Sequence, residues 1–282
     1  NLNLKTVIAV FLILHKFMSQ FTYKNQKLFV ENLSIFNIAK KNMTPFYLYS
    51  SQQLKENYLN FAKIFRDVKP LICFAAKANT NLTILKILGR LGSGVDVVSG
   101  GELLKAIKAG IKPNKIVFSG VGKTEQELEI AINKKILLIN IESESEAKLI
   151  DKIGQKNKKI ISVGFRLNPN VDAKTHKKIS TGKAENKFGL SIKNFYKFYK
   201  DKKKYKNIRI EAISVHIGSQ ILSDVPYKKT LDILLKVIKD LKLKLKYVDL
   251  GGGFGISYEK KDKLINLKKY SKLVNLFKKK VN

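Results

Sequence analysis

The sequence has one cysteine and no tryptophan among its 282 residues. A single cysteine, Cys73, excludes an internal disulfide and a zinc site built from several cysteines. Cys73 lies in an apolar run, so we expect it to pack in the core. Because no feature of the chain requires oxidation, we expect a reducing compartment, the cytoplasm.

Arginine and acidic residues are scarce, whereas lysine is abundant. Lysine and arginine together number 55 against 22 acidic residues, a net charge of +33, yet the arginines are only Arg66, Arg90, Arg166 and Arg209. Nucleic-acid sites favour arginine forks and interleaved aromatic residues on one face. The lysines are instead scattered over every helical stretch, so we expect no specific nucleic-acid partner. A polyanion-binding surface stays an alternative, which one continuous basic stripe would favour.

The chain also lacks an apolar run long enough to cross a membrane. TVIAVFLIL (6–14) has nine residues, whereas a bilayer requires about 20. No small-residue cleavage site follows it, as would be expected after a signal core. Because the first methionine is Met18, residues 1–17 are interpreted as a non-native upstream or signal-like segment, and no membrane association is expected.

From residue 46 onward, short apolar runs alternate with amphipathic stretches of helical period. Apolar strands separated by helices are typical of a parallel sheet covered by helices. The predicted strands are FYLYS (46–50), LICFAAKA (71–78), GVDVVS (94–99), KIVFSG (115–120), ILLINIES (136–143), IISVGFRLNP (160–169), IEAISVHIGS (210–219) and KYVDLGGGFG (246–255). Capping boxes are predicted at Thr124 with Glu127 and at Ser143 with Glu146.

The predicted fold class is α/β, a (β/α)8 TIM-like barrel that is incomplete, with about seven strands. An open doubly wound sheet usually carries its glycine-rich loop after the first strand, whereas GGGFG follows the seventh barrel strand here. The chain stops inside YSKLVNLFKKKVN without an eighth unit. Residues 51–282 are assigned to this partial barrel, and residues 18–50 to a segment that contributes a strand to a second, β domain.

Unusual residues collect where barrel strands end, and barrel active sites lie at those ends. Taken alone, each has a structural explanation: a surface lysine, a satisfied core histidine, a tight glycine turn. Together they suggest a buried amine with a lowered pKa, an imidazole that can lie flat against an aromatic cofactor ring, and a backbone cradle for an anion. The residues are Lys77, Asp96, Arg166, His216, Ser219, Gly251, Gly252 and Gly253.

Five segments resemble the diaminopimelate decarboxylases, pyridoxal-phosphate enzymes of the alanine-racemase-like barrel class. They are FAAKAN, DVVSGGEL, RLNPNVDAKTHKKISTGKAENKFGL, SVHIGSQ and DLGGGFG. Ornithine and arginine decarboxylases share the lysine, the histidine and the glycines, whereas residues 168–189 are typical of the diaminopimelate branch. The resemblance covers about residues 28 to 256.

The resemblance implies a role for each candidate residue. Lys77 would hold pyridoxal 5'-phosphate covalently and then act as a base or proton donor, and His216 would stack on its ring. Ser219 and Gly251 to Gly253 would hold the phosphate, with Arg166 and Asp96 near the ring edge and the lysine. The reaction would be decarboxylation of meso-2,6-diaminopimelate to L-lysine, the last step of lysine biosynthesis, and no metal is expected.

The resemblance also implies parts that this chain lacks. The family continues with a Glu-Pro-Gly-Arg segment and a β domain that supplies a cysteine and a tyrosine at a dimer interface. A homodimer with shared active sites is therefore implied for the longer protein, the pyridinium partner is unassigned, and the 282-residue chain alone is expected to be inactive. Alternatives are an ornithine or arginine decarboxylase, an amino-acid racemase, and a noncatalytic pyridoxal-phosphate-binding barrel.

Overall fold

A computed structural model describes residues 4–10, 20–173, 181–182, 188–258 and 264–281. The strands, in chain order, are β1 (Lys5–Val10), β2 (Phe21–Lys24), β3 (Lys27–Val30), β4 (Leu33–Ser34), β5 (Leu71–Ala75), β6 (Gly94–Val97), β7 (Ile116–Phe118), β8 (Leu138–Ile141), β9 (Ile161–Asn168), β10 (Leu190–Ser191), β11 (Ile208–Ser214) and β12 (Tyr247–Asp249). The helices are α1 (Ile35–Lys41), α2 (Ser51–Ile64), α3 (Leu82–Arg90), α4 (Gly100–Lys108), α5 (Glu125–Asn133), α6 (Glu144–Lys156), α7 (Ile192–Lys200), α8 (Val225–Asp240) and α9 (Leu267–Val281).

Eight parallel strands close into a barrel. Their order is β1-β5-β6-β7-β8-β9-β11-β12, and β12 pairs back with β1. A small apolar cluster from five different strands fills the interior, and a larger cluster joins the strands to the surrounding helices. The interior cluster contains Val7, Cys73, Val117, Leu138 and Ala212. The TIM-like barrel and the core position of Cys73 are thus confirmed.

The eighth strand corrects the expectation of an incomplete barrel with about seven strands. It is β1, from the segment 1–17 that the sequence suggests to be a non-native upstream or signal-like segment. It pairs in parallel with β12 at Lys5–Tyr247 and with β5 at Val7–Leu71. A seven-strand sheet would leave backbone groups of β5 and β12 unpaired, and an apolar strand satisfies both edges. Residues 1–3 and 11–17 lie outside the described residues, and the non-native origin of the segment stays a prediction.

The amphipathic stretches form helices close to their predicted positions. The capping box at Thr124 is complete, because Thr124 and Glu127 each accept the other's backbone N–H. At α6 only half of the predicted box forms. Ser143 accepts the Glu146 N–H, but the Glu146 carboxylate accepts the Glu142 N–H at 2.8 Å and pairs with Lys123 at 2.7 Å. None of the described helices is long and apolar enough to cross a membrane.

Residues 20–50 form a small unit beside the barrel. It consists of the antiparallel sheet β2-β3-β4 followed by α1. FYLYS (46–50), which we predicted as a strand, is not one here, and the side chains of Tyr47 and Tyr49 are exposed. Among the described strands, none pairs with this segment. Its contribution to a second domain therefore stays a prediction.

Removing the side chain of Ile8 tests the closing strand. Ile8 is fully buried in the main core, so Ile8→Ala should lower the free energy of unfolding by about 3 kcal/mol through lost burial and a cavity. Leu33→Ala, at an exposed position of β4, is the control and should cost less than about 0.5 kcal/mol. Denaturant unfolding measures both, and equal small effects would show that β1 does not pack in the barrel.

Candidate functional site

One cavity of about 300 Å³ at the carboxyl ends of the barrel strands brings the predicted site residues together. All eight line it: Lys77, Asp96, Arg166, His216, Ser219, Gly251, Gly252 and Gly253. Ser119, Asn140, Phe188, Ser214 and Asp249 also contribute to the lining. The parallel barrel explains the convergence, because every strand ends at the same rim. Their roles toward a cofactor stay predictions.

Lys77 lies in a short 3-10 turn, Ala76–Ala78, directly after β5. Its side chain is exposed, which corrects the expectation that this amine is buried. The apolar run ends one residue earlier, at the buried Ala76, so the turn carries Lys77 out to the cavity mouth. The amine is accessible there.

His216 follows β11 and faces the glycine loop. The backbone N–H of Gly252 donates to its Nδ1 at 3.4 Å, so the neutral ring carries its hydrogen on Nε2. Burial, together with the positive charges of Arg166 and Lys77, lowers the pKa of His216 to about 3. The imidazole is therefore uncharged at neutral pH and presents a flat, neutral face.

The glycine loop after β12 depends on the absence of side chains. Gly251 and Gly253 have φ of +63° and +85°, a region that favours glycine. A Cβ would overlap the carbonyl oxygen of Val215 at the first position and that of Gly218 at the second. The loop is also anchored, because Gly251 N–H donates to Asp249 Oδ1 at 2.9 Å and Tyr227 Oη–H to Gly252 O at 2.8 Å.

Arg166 is held rigidly at the end of β9. Its Nη1 donates to Glu142 Oε1 at 2.9 Å, and its guanidinium lies 4.7 Å from the ring centroid of Phe188. Glu142 also accepts the backbone N–H of Gly120 at 3.1 Å and of Gly189 at 2.9 Å. Glu142 therefore fixes the cation and neutralises part of its charge.

Two carboxyl groups lie under the cavity and repel each other. Burial and the nearby Asp249 raise the pKa of Asp96 to about 7, although a hydrogen bond from Ser119 opposes the shift. Burial likewise raises the pKa of Asp249, against hydrogen bonds from Gly251 and Asn140. Asp96 can therefore gain or lose a proton near neutral pH, beside Lys77.

Sequence reasoning missed several residues of this site. Ser119, Asn140 and Glu142 were not singled out, and Asp249 entered only as the first residue of the segment DLGGGFG. A signal was present, because Asn140 and Glu142 interrupt the apolar run ILLINIES near its end. The motif segment thought specific for the branch is only partly described: residues 174–180 and 183–187 lie outside the described ranges.

A second cavity is larger but less suited to chemistry. It has a volume of about 560 Å³ and lies at the opposite end of β11, where lysines and tyrosines line it. None of the predicted site residues reaches it. Among the described residues, no group of three or more His, Cys, Asp or Glu side chains could hold a metal ion.

The residues at the rim fit pyridoxal phosphate. An accessible amine stands at the mouth, a neutral ring lines the same cavity, and the Gly251 to Gly253 loop borders it with backbone that no side chain covers. The buried hydroxyl of Ser214 has no hydrogen-bond partner among the described residues and lines the same cavity. Buried polar atoms are normally satisfied, so this hydroxyl is available to a bound group.

Comparison with known proteins identifies the class. The chain belongs to the pyridoxal-dependent decarboxylases, because residues 51–281 match the family described as "Pyridoxal-dependent decarboxylase, pyridoxal binding domain". It is 44% identical over 244 residues to the diaminopimelate decarboxylase of Aquifex aeolicus, covering 86% of this chain and 58% of the relative. It is 46% identical over 222 residues to that of Helicobacter pylori J99, covering 78% and 55%.

A solved structure agrees with these relatives. Diaminopimelate decarboxylase from Helicobacter pylori, complexed with L-lysine, matches with a TM-score of 0.82 and 41% identity, covering 87% of this chain and 63% of that one. A lysine decarboxylase from Selenomonas ruminantium is only 22% identical, with a TM-score of 0.72, and shows the fold alone. The resemblance found in the sequence and the pyridoxal cofactor are thus confirmed. The chain spans little more than half the length of the curated relatives that it matches.

Replacing Asp96 tests its raised pKa through stability. The unfolded carboxyl loses its proton near pH 3.8 but the folded one near 7, so the folded state loses stability as the pH rises between these values. Asp96→Asn removes that cost. It should raise the free energy of unfolding by about 2 to 3 kcal/mol more at pH 8 than at pH 5.

Denaturant unfolding at both pH values measures this difference. Asp232→Asn, on the exposed face of α8, is the matched control and should change stability little at either pH. An equal gain from Asp96→Asn at pH 5 and pH 8 would contradict the raised pKa.

The protonation state of His216 can be followed by proton NMR. The chain has three histidines, so loss of one ring signal in His216→Gln assigns the residue. Because the pKa of His216 is about 3, its signal should not shift between pH 8 and pH 5. A midpoint above pH 5 would show that the imidazole is not shielded from solvent.

Proposed function

We propose that the longer protein decarboxylates meso-2,6-diaminopimelate to L-lysine with pyridoxal 5'-phosphate bound in the rim cavity. One observation carries the proposal: all eight candidate residues line a single cavity. The substrate assignment is supported by relatives named diaminopimelate decarboxylase at 44% and 46% identity, and by the L-lysine named in the Helicobacter pylori structure.

The proposed roles follow from the positions of the side chains. Lys77, at the cavity mouth, would hold the cofactor aldehyde covalently and would then move a proton at the reacting carbon. Neutral His216 would face the cofactor ring without adding charge. Arg166, held by its ion pair with Glu142, would present a cation near the ring edge.

The anion-binding part is the loop that carries Gly251 to Gly253, together with Ser219. Glycine lets backbone N–H groups come close to phosphate oxygens. Because Tyr227 and Asp249 anchor the loop, the cradle is preformed and little ordering is needed on binding.

When bound, pyridoxal phosphate supplies the electron sink for breaking the bond to the α-carboxylate. The protein's share would be orientation, because the breaking bond must stand perpendicular to the ring: Ser219 and the Gly251 to Gly253 loop would hold the phosphate, and His216 would face the ring. Asp96, which exchanges a proton near neutral pH, is suited to adjust the charge on Lys77.

The alternatives have less support. An ornithine or arginine decarboxylase would act on the same rim, but the identity to an arginine decarboxylase of known structure is 21%, against 46% to a diaminopimelate decarboxylase. An amino-acid racemase would need a second base. A noncatalytic protein made of a single barrel would not account for the small unit formed by residues 20–50. The polyanion surface is favoured only by the lysine-lined cavity at the opposite end of β11.

We further propose a homodimer with shared active sites, a cytoplasmic location, and inactivity of the 282-residue chain by itself. Residues 20–50 support the proposal of a second subunit, because Met43 and Tyr47 in this unit are 90% and 91% exposed. Large apolar side chains so exposed are suited to an interface. The lone, unoxidised Cys73 is compatible with a reducing compartment.

Borohydride reduction tests the role of Lys77. With pyridoxal phosphate bound to the longer protein, reduction should fix one pyridoxyl group on the peptide that carries Lys77, and Lys77→Arg should abolish the label. Lys108→Arg, on the exposed end of α4, is the control and should label normally. Peptide mapping that finds the group on another lysine would refute the assignment.

The substrate is tested by carbon dioxide release from the longer protein. Release from meso-diaminopimelate should exceed release from ornithine and arginine by a large factor, because the relatives with the higher sequence identity are diaminopimelate decarboxylases. Release from ornithine or arginine but not from diaminopimelate would overturn the proposed substrate, while leaving the cofactor site intact.

A further inference from the structure

A directed chain of hydrogen bonds joins the half-buried Asp96 to the buried Asp249 at the base of the cavity. Asn140 Nδ2 donates to Asp249 Oδ2 at 2.9 Å and to Ser119 Oγ at 3.1 Å. Ser119 Oγ in turn donates to Asp96 Oδ1 at 2.6 Å. Every donor in this series of hydrogen bonds therefore points away from Asn140 and toward a carboxyl group.

The orientation of the Asn140 amide is fixed by its surroundings. Its Oδ1 is buried, has no hydrogen-bond partner among the described residues, and faces Gly164 of β9. A Cβ at Gly164 would lie only 2.5 Å from that oxygen. On the backbone side, Lys123 Nζ donates to the Asn140 carbonyl at 2.8 Å. A flipped amide would turn its oxygen toward Asp249, so the observed orientation is the one that satisfies the carboxylate.

The two carboxyl groups are not equivalent. Asp249 receives a donor on each oxygen, Gly251 N–H at 2.9 Å and Asn140 Nδ2 at 2.9 Å. Asp96 receives the hydroxyl of Ser119 on one oxygen. Hydrogen bonds to a carboxylate favour its charged form. This chain of hydrogen bonds therefore favours the charge on Asp249 and leaves the remaining proton on Asp96.

Other ionisable groups face this pair, and they define the background charge. Lys77 and Arg166 are the cations that act on Asp96, and Arg166 also acts on Asp249. Cys73 and Tyr270 lie near the carboxyl groups, and burial raises the pKa of each above its ordinary value. Both are therefore neutral at working pH, so the charge balance depends on the two carboxyl groups.

We propose that Asn140 is a positioning residue: its amide, for which Gly164 leaves room, keeps Asp249 ionised and leaves the exchangeable proton on Asp96, beside Lys77. The distribution of protons is a property of this chain without any cofactor. Only its consequence for catalysis, a controlled charge next to Lys77, rests on the proposed function.

Asn140→Leu tests the proposal, because leucine has nearly the same shape but donates no hydrogen bond. The titrations of Asp96 and Asp249 can be followed by carbon-13 NMR of labelled aspartate, with Asp96→Asn and Asp249→Asn for assignment. Loss of the donor should raise the midpoint of Asp249 by about one pH unit or more. The midpoint of Asp96 should fall, because its neighbour is then neutral over a wider range.

A second variant moves the amide without removing it. Gly164→Ala places a methyl group against Asn140 Oδ1 and should shift both midpoints in the same directions. Gly101→Ala, where a Cβ meets nothing closer than 3.9 Å, is the matched glycine control. Asn57→Leu, a buried asparagine in α2, controls for loss of a buried amide elsewhere, and both controls should leave the midpoints unchanged.

The outcomes separate this proposal from the proposed function. Unchanged midpoints in folded Asn140→Leu and Gly164→Ala would overturn it, and unfolding of both variants would assign Asn140 to stability and overturn it too. Neither result bears on the labelling of Lys77. In the longer protein, Asn140→Leu should shift the pH profile of kcat/KM, whereas a merely structural role would lower activity equally at every pH.

Discussion

The site depends on two carboxyl groups buried beneath one rim. Burying like charges side by side is costly, and each polar feature around the cavity reduces that cost. Ser119, Asn140 and the Gly251 backbone donate to the carboxyl groups, and Arg166 supplies a cation that Glu142 holds in position. Remaining destabilisation appears as a raised pKa at Asp96. The cavity is thus prepared electrostatically before anything binds, which is how protein sites commonly stabilise charge during a reaction.

The barrel makes this arrangement possible. Parallel strands deliver residues from β6, β8, β9 and β12 to a single rim, although these residues are distant in sequence. Closure matters as well, because β1 pairs with both β5 and β12. These are the strands that precede Lys77 and the glycine loop. A strand in that position holds the amine and the anion cradle at a fixed separation.

Local features of the sequence predicted much of the fold and the site. Alternating apolar and amphipathic stretches indicated seven of the eight barrel strands, and five polar residues and three glycines at their ends indicated eight residues of the cavity. The failures involve partners distant in sequence. The apolar run of β1 looked like a signal core because nothing local reveals pairing with β12. FYLYS has strand-like composition, but no edge among the described residues receives it.

Finer errors have similar causes. Lys77 follows a buried run, yet the 3-10 turn that exposes it begins only at Ala76. Asn140 and Glu142 could have been noticed as polar residues in an apolar strand, but their partners Asp249 and Arg166 come from other strands. The requirement for glycine at 164 is visible only once β8 and β9 lie side by side.

Binding of pyridoxal phosphate to Lys77 in the rim cavity can be observed in a crystal structure of the longer protein grown with the cofactor. Continuous density from Lys77 Nζ to the cofactor is expected, with His216 against the ring and the phosphate on Gly251 to Gly253. Cofactor density attached to a different lysine, or a phosphate bound away from the glycine loop, would contradict it.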